Sequence, residues 1–248
     1  MKRKILLTGC SKGIGYHLVL SLIAEGYFVY GISRSKTEIK NKFFSHIKLD
    51  LNNKKEIKHA ADYIKSLDIF GLINNAGAHG PIGPFVDTDI NSWENIFDLN
   101  LFSAARLVHI CSESLIRNSG AIIFLSGGGA AYPRPNFSGY SVSKTAIVRL
   151  SEVLSIELAP EVLVYCIAPG PNKTDLLQEA IDAGNAGLVD RIDESKIVDF
   201  DMPIRLCNFL MKNKNSNLSG KFIHVKDNYE AWKNEELQSD TYTLRRIE

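Results

Sequence analysis

KILLTGCSKGIG, residues 4–15, joins a short apolar run to three glycines in the spacing G-x-x-x-G-x-G. The run Lys4–Thr8 is stopped by a glycine, which predicts a short buried strand. From Gly13 to Glu25 the apolar residues recur at helical spacing, and Gly26 is a typical helix stop. A strand, a glycine turn and a helix in this order predict the first unit of an α/β fold.

Strand-like and helix-like segments alternate along the rest of the chain. The predicted strands are Lys4–Thr8, Tyr27–Ile32, Ile47–Leu49, Ile69–Asn74, Ala121–Leu125, Val162–Ile167 and Lys221–Val225. The predicted helices are Gly13–Glu25, Lys54–Ser66, Trp93–Arg117, Tyr140–Leu158 and Pro203–Met211. This alternation predicts a seven-stranded parallel sheet with helices on both faces, in one domain that spans residues 1–248.

Two segments do not follow the alternation. Glycine, asparagine and acidic residues interrupt the pattern between residues 171 and 200, where we expect a mobile substrate lid or an insertion. The tail after Tyr229 is polar, and no element is predicted there.

The composition narrows the class of function. The 248 residues are 45% hydrophobic, enough for a sizeable core, and the net charge of +1 gives no basic footprint for nucleic acid. No apolar run approaches the roughly 20 residues of a membrane span, so we expect no membrane partner. The four cysteines are scattered without a C-x-x-C pair, which predicts no metal site, no disulfide framework and a cytoplasmic location.

The glycine loop is a candidate site for a dinucleotide. A helix start exposes unpaired N–H groups and the positive end of the helix dipole, both of which suit a pyrophosphate. The residues predicted to bind it are Gly9, Ser11, Lys12, Gly13, Ile14 and Gly15. Glycine-rich turns also occur for purely structural reasons, but the position between a strand and a helix favours the nucleotide interpretation.

The glycine motif resembles that of the short-chain dehydrogenase/reductase family, in its compact, single-domain branch. Three further motifs match in the same order: Asn74–Gly77 (NNAG), Tyr140-x-x-x-Lys144 and Pro169-Gly170-x-x-x-Thr174. The resemblance implies a Rossmann-type, doubly wound fold and an NAD(P)-dependent oxidoreductase that acts on a small-molecule carbonyl or alcohol. It also implies a homodimer or homotetramer, formed through the two long helices.

The end of the second predicted strand bears on the choice of cofactor. An acid at this position would bind the adenosine ribose and repel a 2′-phosphate, but Ser33 stands there and Arg34 follows. Lys12 adds a second cation in the glycine loop. Two cations and no acid favour NADP over NAD, with solvated surface charges as the alternative.

Further cofactor contacts follow from the family motifs. Asp50, with Leu51 beside it, resembles the position next to the adenine ring, or else caps the following helix. Thr174 resembles the residue at the nicotinamide carboxamide, or caps a helix over DLLQEAI; both roles can hold together. The resemblance also assigns Asn75, Ala76, Gly77, Pro169 and Gly170 to the cofactor.

Tyr140 and Lys144 are the predicted catalytic pair. Four residues apart, they share one helix face, where the ammonium is expected to lower the tyrosine pKa. The resemblance makes Tyr140 the acid/base, lets Lys144 hold the nicotinamide ribose and gives Asn100 a water of the proton relay. The alternatives are an ordinary amphipathic helix face and a polar residue that interrupts an apolar stripe.

The serine that accompanies such a tyrosine is displaced here. In the family it usually stands thirteen residues before the tyrosine, which is the position of Gly127, whereas Ser126 is one residue too early. Either the glycine run lets the backbone bulge so that Ser126 enters the site, or the role passes to Ser138, to a backbone N–H or to nothing. We favour Ser126.

The substrate and two competing functions stay open. The segment from Ser126 to Tyr140 and the tail Thr243–Ile247 resemble a subgroup linked to bacterial surface sugars, which suggests a sugar or nucleotide-sugar. Arg134 either meets a substrate phosphate or carboxylate or is a surface arginine. His79 either borders the substrate pocket or is a surface loop histidine, and we favour the surface histidine. The missing serine also allows a non-catalytic dinucleotide-binding sensor or partner subunit. An epimerase or dehydratase fits the compact glycine spacing less well.

Overall fold

Seven parallel strands form one sheet in the computed structural model, which describes residues 2–190, 193–233, 237–238 and 240–244. The strands are β1 Lys4–Thr8, β2 Phe28–Ser33, β3 Phe44–Lys48, β4 Gly71–Asn74, β5 Ala121–Leu125, β6 Leu163–Ala168 and β7 Phe222–His224. Their order is β3-β2-β1-β4-β5-β6-β7, so the direction of winding reverses between β1 and β4. The predicted fold class is confirmed.

Helices cover both faces of the sheet. They are α1 Gly13–Ala24, α2 Lys54–Ser66, α3 Ile90–Phe97, α4 Ser103–Arg117, α5 Ser138–Glu157, α6 Asp175–Asn185 and α7 Asp201–Asn213. Buried side chains of α1 and α7 pack in the core on one face, and those of α2, α4 and α5 pack in the core on the other. Successive residues of β1 alternate between the two cores, with Ile5 and Leu7 in one and Leu6 in the other. Both faces of the strand are therefore buried, which explains its continuous apolar run.

The predicted long helix Trp93–Arg117 contains a break. It begins three residues earlier, at Ile90, after Asp89 accepts a hydrogen bond from the backbone N–H of Ser92 at 2.8 Å. A π-helical turn, Asp98–Phe102, then separates α3 from α4. Such turns are rare and concentrate at functional sites, and this one contains the buried Asn100.

The two irregular segments are partly ordered into elements. Between residues 171 and 200 lie α6 and a 3₁₀ turn, Glu194–Lys196, where the sequence pattern indicated only a lid or an insertion. Residues 191–192 of that segment, and residues 245–247 of the tail motif, lie outside the described residues. The lid itself stays a prediction.

Thr8 and Asn75 join the ends of β1 and β4. The Thr8 hydroxyl accepts the backbone N–H groups of Asn75 and Ala76, both at 3.0 Å. The Asn75 amide donates to the carbonyls of Thr8 at 2.9 Å and Gly9 at 3.2 Å. Because ligands of doubly wound sheets bind where the winding reverses, these bonds fix the edge of the expected binding crevice.

A Gly15→Ala substitution tests this packing. A Cβ at Gly15 would lie 2.1 Å from the Gly9 carbonyl oxygen and 2.6 Å from Asn75 Nδ2. Since backbone would have to move, we expect the free energy of unfolding in urea to fall by about 1–3 kcal/mol. The control Leu20→Ala, on the exposed face of the same helix, should change it by only about 0.5 kcal/mol. Equal losses of stability for the two variants would show that the close packing against Gly15 is not required.

Candidate active site

A cleft of about 1220 Å³ opens at the carboxyl ends of the strands. This volume exceeds the roughly 300–1,000 Å³ of a drug-sized pocket and suits a dinucleotide together with a substrate. Of the predicted site residues, Gly15 and Asn100 do not line the cleft. Those that line it are Gly9, Ser11, Lys12, Gly13, Ile14, Ser33, Arg34, Asp50, Leu51, Asn75, Ala76, Gly77, Ser126, Tyr140, Lys144, Pro169, Gly170 and Thr174.

The glycine loop leaves the start of α1 open to the cleft. Gly9 and Gly13 take left-handed backbone angles, with φ of +73° and +56°, which other residues adopt only with strain. The N-cap residue Lys12 makes no side-chain capping bond, and the first turn of α1 holds no acid. The exposed N–H groups therefore keep the capacity to bind an anion, so this cradle fits a pyrophosphate.

The end of β2 presents one exposed cation and a serine that is already bonded. Ser33 is buried, and its hydroxyl donates to the Ser35 carbonyl at 2.8 Å and shares a hydrogen bond with His46 Nε2 at 2.8 Å. Arg34 is exposed at the rim. The Lys12 ammonium, the second predicted cation, pairs with Asp175 at the start of α6, a contact that the sequence did not suggest.

Asp50 and Thr174 each have an alternative role as a helix cap, and only Thr174 caps a helix. Asp50 does not cap α2: Asn53 does, since its side chain accepts the backbone N–H groups of Lys55 and Glu56. Asp50 instead accepts the Asn52 N–H at 3.0 Å within its own turn. Thr174 does cap α6, because its hydroxyl accepts the Leu177 N–H at 3.3 Å, and it lines the cleft as well.

Tyr140 and Lys144 lie on one buried face of α5. The Lys144 ammonium donates to the Leu125 carbonyl at 2.8 Å and lies 5.9 Å from the centre of the Tyr140 ring. Burial lowers the pKa of Lys144 to about 8. Burial raises the pKa of Tyr140, and the charge of Arg134 opposes that rise only in part. The expectation that Lys144 lowers the tyrosine pKa is thus wrong for the free protein, because desolvation of the phenolate outweighs the nearby charges.

Asn100 fixes the loop that follows the NNAG motif. Its Oδ1 accepts the Ala78 N–H at 3.0 Å, and its Nδ2 donates to the Ala78 carbonyl and to the Ser143 hydroxyl. Both amide hydrogens are therefore used within the protein. A Cβ at Gly77 would lie 3.1 Å from Lys144 Nζ and 3.3 Å from Asn100 Oδ1, so these side chains converge on this glycine.

His79 belongs to the wall of the cleft. Its interpretation as a surface histidine is wrong, since only 3% of the residue is exposed. Its ring meets the rings of Tyr140 and Phe137 edge-on, with centres 4.9 and 5.1 Å apart. Burial, followed by the charges of Arg134 and Lys144, lowers the pKa of His79 to about 3, so the ring is neutral near pH 7. No local sequence pattern marks this burial, which depends on the approach of α5.

Comparison with known proteins identifies the family. The model of the family described as short chain dehydrogenase matches residues 3–184. The chain belongs to this family. It is 28% identical to benzil reductase ((S)-benzoin forming) of Saccharomyces cerevisiae, over 92% of this chain and 97% of the yeast protein. It is 31% identical to an uncharacterized oxidoreductase of Schizosaccharomyces pombe, over 91% and 97% of the two chains.

A solved structure shares the fold of this short-chain dehydrogenase. ElxO with NADP bound superposes with a TM-score of 0.79 at 22% identity, over 93% of this chain and 100% of ElxO. Together with the family match, this makes the protein an oxidoreductase with a dinucleotide-binding fold. Among the described residues, no helix is both long and apolar enough to span a bilayer.

Position 127, where the family serine is expected, faces the tyrosine of this short-chain dehydrogenase. Gly127 has an extended backbone, and a Cβ there would lie 2.4 Å from the Tyr140 hydroxyl oxygen. The buried Ser126 hydroxyl instead donates to the Lys144 carbonyl at 2.9 Å. Ser138 accepts the indole N–H of Trp93 at 2.9 Å. Both alternative serines are therefore hydrogen-bonded elsewhere.

The close approach at Gly127 predicts a sharp contrast between neighbouring glycines. Gly127→Ala should displace the Tyr140 hydroxyl and lower kcat/KM for carbonyl reduction by about 100-fold, since small misplacements of reacting groups are costly. Gly128→Ala, where a Cβ would meet nothing within 4 Å, should leave kcat/KM unchanged. Steady-state kinetics and tyrosine fluorescence of both variants measure the effect on Tyr140. Equal kinetics for the two variants would show that position 127 does not constrain the Tyr140 hydroxyl.

Proposed function

We propose that this short-chain dehydrogenase is an NADP-dependent carbonyl reductase or alcohol dehydrogenase. The observation that carries the proposal is the buried Tyr140 on the wall of a cleft large enough for a dinucleotide and a substrate. Its hydroxyl makes no hydrogen bond within the described part of the chain and so remains able to bind a substrate oxygen. A sugar or nucleotide-sugar is one candidate substrate, suggested by the sequence resemblance alone.

The proposed cofactor contacts follow the cleft from the glycine loop to Thr174. The open amides of α1 would hold the pyrophosphate, and Asp50, which lines the cleft, is the proposed neighbour of the adenine. When bound, NADP(H) supplies or accepts the hydride. Lys144, next to Gly77 and Tyr140, is the proposed partner of the nicotinamide ribose.

Tyr140 is the proposed proton donor to the substrate oxygen. Because burial raises its pKa, the phenol stays protonated at neutral pH and has a proton to give. The charge of Arg134 would stabilise the phenolate that remains. We propose a positioning role for Ser126, whose bond to the Lys144 carbonyl holds the turn of α5 that carries the lysine.

The NADP preference rests on charge. Lys12 and Arg34 border the cleft, and no acid stands at the end of β2, at position 33, or in the four residues that follow. The bond of Lys12 to Asp175 is an exposed ion pair, which is weak and can exchange for a phosphate.

Assembly and location complete the proposal. Phe102, at the start of α4, and Val142, Val153 and Ile156 on α5 are exposed, which supports a homodimer or homotetramer formed through these helices. The four cysteines are free and buried, which is consistent with the proposed cytoplasmic location.

A Tyr140→Phe variant tests catalysis against the sensor alternative. We expect kcat for NADPH-dependent reduction of ketones, aldehydes or keto-sugar nucleotides to fall by about 100-fold or more, because the proton donor is lost. The dissociation constant for NADPH, measured by fluorescence titration, should change little. Wild-type protein that binds NADPH but reduces nothing in the panel would favour the sensor or partner subunit.

The cations are tested by a double variant, Lys12→Gln with Arg34→Gln. We expect the affinity for NADPH to fall about 10-fold or more, while that for NADH stays the same, because only NADPH carries the 2′-phosphate. Lys36→Gln removes an exposed charge outside the cleft and serves as the control. Wild-type protein that prefers NADH would overturn the cofactor assignment.

A further inference from the structure

Arg134 is held on the substrate side of the cleft by an aromatic ring. It stands between two prolines, and its guanidinium lies 3.7 Å from the centre of the Phe137 ring. Phe137 is fully buried, so this stacking fixes a planar cation on a rigid support. Arg134 is itself partly buried and lines the cleft, which excludes its interpretation as an ordinary surface arginine.

A continuous series of contacts joins Arg134 to the reactive hydroxyl. Phe137 touches His79, and His79 touches Tyr140, both edge-on. The charge of Arg134 is close enough to influence the pKa of both His79 and Tyr140. A substrate whose carbonyl reached Tyr140 would therefore have this cation along the same wall.

Among the described residues, no carboxylate balances the charge of Arg134. Within the described part of the chain its guanidinium forms neither an ion pair nor a hydrogen bond. Of the carboxylates that line the cleft, Asp175 pairs with Lys12 and Asp193 pairs with Lys196. Glu179 lies 3.4 Å from Nδ1 of the neutral His79 and makes no hydrogen bond to it. Asp190 is exposed where it borders the cleft.

A partly buried cation without a counter-ion gains most from an anionic ligand, because the cost of desolvation is already present in the folded protein. A guanidinium offers the planar pair of donors that matches two oxygens of a carboxylate or a phosphate. His79, neutral and with Nδ1 buried without a hydrogen bond, adds a polar group between the cation and Tyr140.

We infer that Arg134 binds an oxyanion of the substrate, so that the preferred substrates are carbonyl compounds bearing a carboxylate or a phosphate. The inference rests on the proposed function of the same cleft and narrows its substrate class. It differs from a role for Arg134 in holding the cofactor, which would change the affinity for NADPH. It also differs from a role limited to Tyr140, which would affect neutral and anionic substrates equally.

The test compares matched pairs of compounds on wild-type protein, Arg134→Met and Arg134→Lys. The pairs are 4-oxopentanoate with its methyl ester, for a carboxylate, and dihydroxyacetone phosphate with dihydroxyacetone, for a phosphate. Binding to the NADP⁺-loaded protein is measured by calorimetry, which needs no turnover, and kcat/KM is measured with NADPH. Arg205→Met, an exposed arginine outside the cleft, controls for net charge.

The wild type should bind at least one anionic compound about 10- to 100-fold more tightly than its neutral partner. Arg134→Met should abolish that ratio, Arg134→Lys should restore part of it, and Arg205→Met should keep it. NADPH affinity should stay within about twofold in Arg134→Met, and turnover of the anionic compounds should fall further than turnover of their neutral partners. The pair that shows the preference identifies the substrate anion as carboxylate or phosphate.

Three results would overturn the inference: no preference for either anion in the wild type, a ratio unchanged in Arg134→Met, or a matching loss of NADPH affinity. Preferential binding without any turnover would leave the anion site standing and refute the reductase instead. Turnover of neutral compounds without any preference for their anionic partners would support the reductase and refute the anion site.

Discussion

The hydrogen bonds between Thr8 and Asn75 are the constraint on which the rest of the site depends. They hold the ends of β1 and β4 together where the winding of the sheet reverses. On one side, the Asn75 amide donates a hydrogen bond to the carbonyl of Gly9, in the loop that leads into α1. On the other, the chain continues to Gly77, against which Lys144 and Asn100 converge. The glycine loop and the candidate catalytic helix α5 are thus both positioned by these hydrogen bonds, and a shift of either strand end would displace both.

Desolvation dominates the electrostatics of the cleft. Tyr140, Lys144 and His79 are all held toward their neutral forms, because burial disfavours charge more than the neighbouring groups stabilise it. A neutral phenol suits proton donation to a carbonyl. Lys144, whose pKa burial lowers to about 8, keeps most of its positive charge at neutral pH.

Local patterns predicted most of the fold. The apolar runs located all seven strands within a few residues, and the glycine motif located the start of α1, because these signals depend on neighbours in sequence. The π-turn at Asn100, the burial of His79 and the pair Lys12–Asp175 could not be predicted this way, since each depends on elements distant in the chain. The motif spacing identified position 127 as the usual place of the family serine, but only coordinates give its distance from the Tyr140 hydroxyl.

The contact between Gly127 and the Tyr140 hydroxyl restricts how this site can evolve. An empty space at position 127 would let a serine be introduced by one substitution. The tyrosine oxygen lies instead where the first side-chain carbon would stand. A lineage that acquired a side chain here would pass through an intermediate with a displaced tyrosine unless a second change made room first. Gly127 and the position of the Tyr140 hydroxyl are therefore coupled, so that a side chain at position 127 requires a second change beside it.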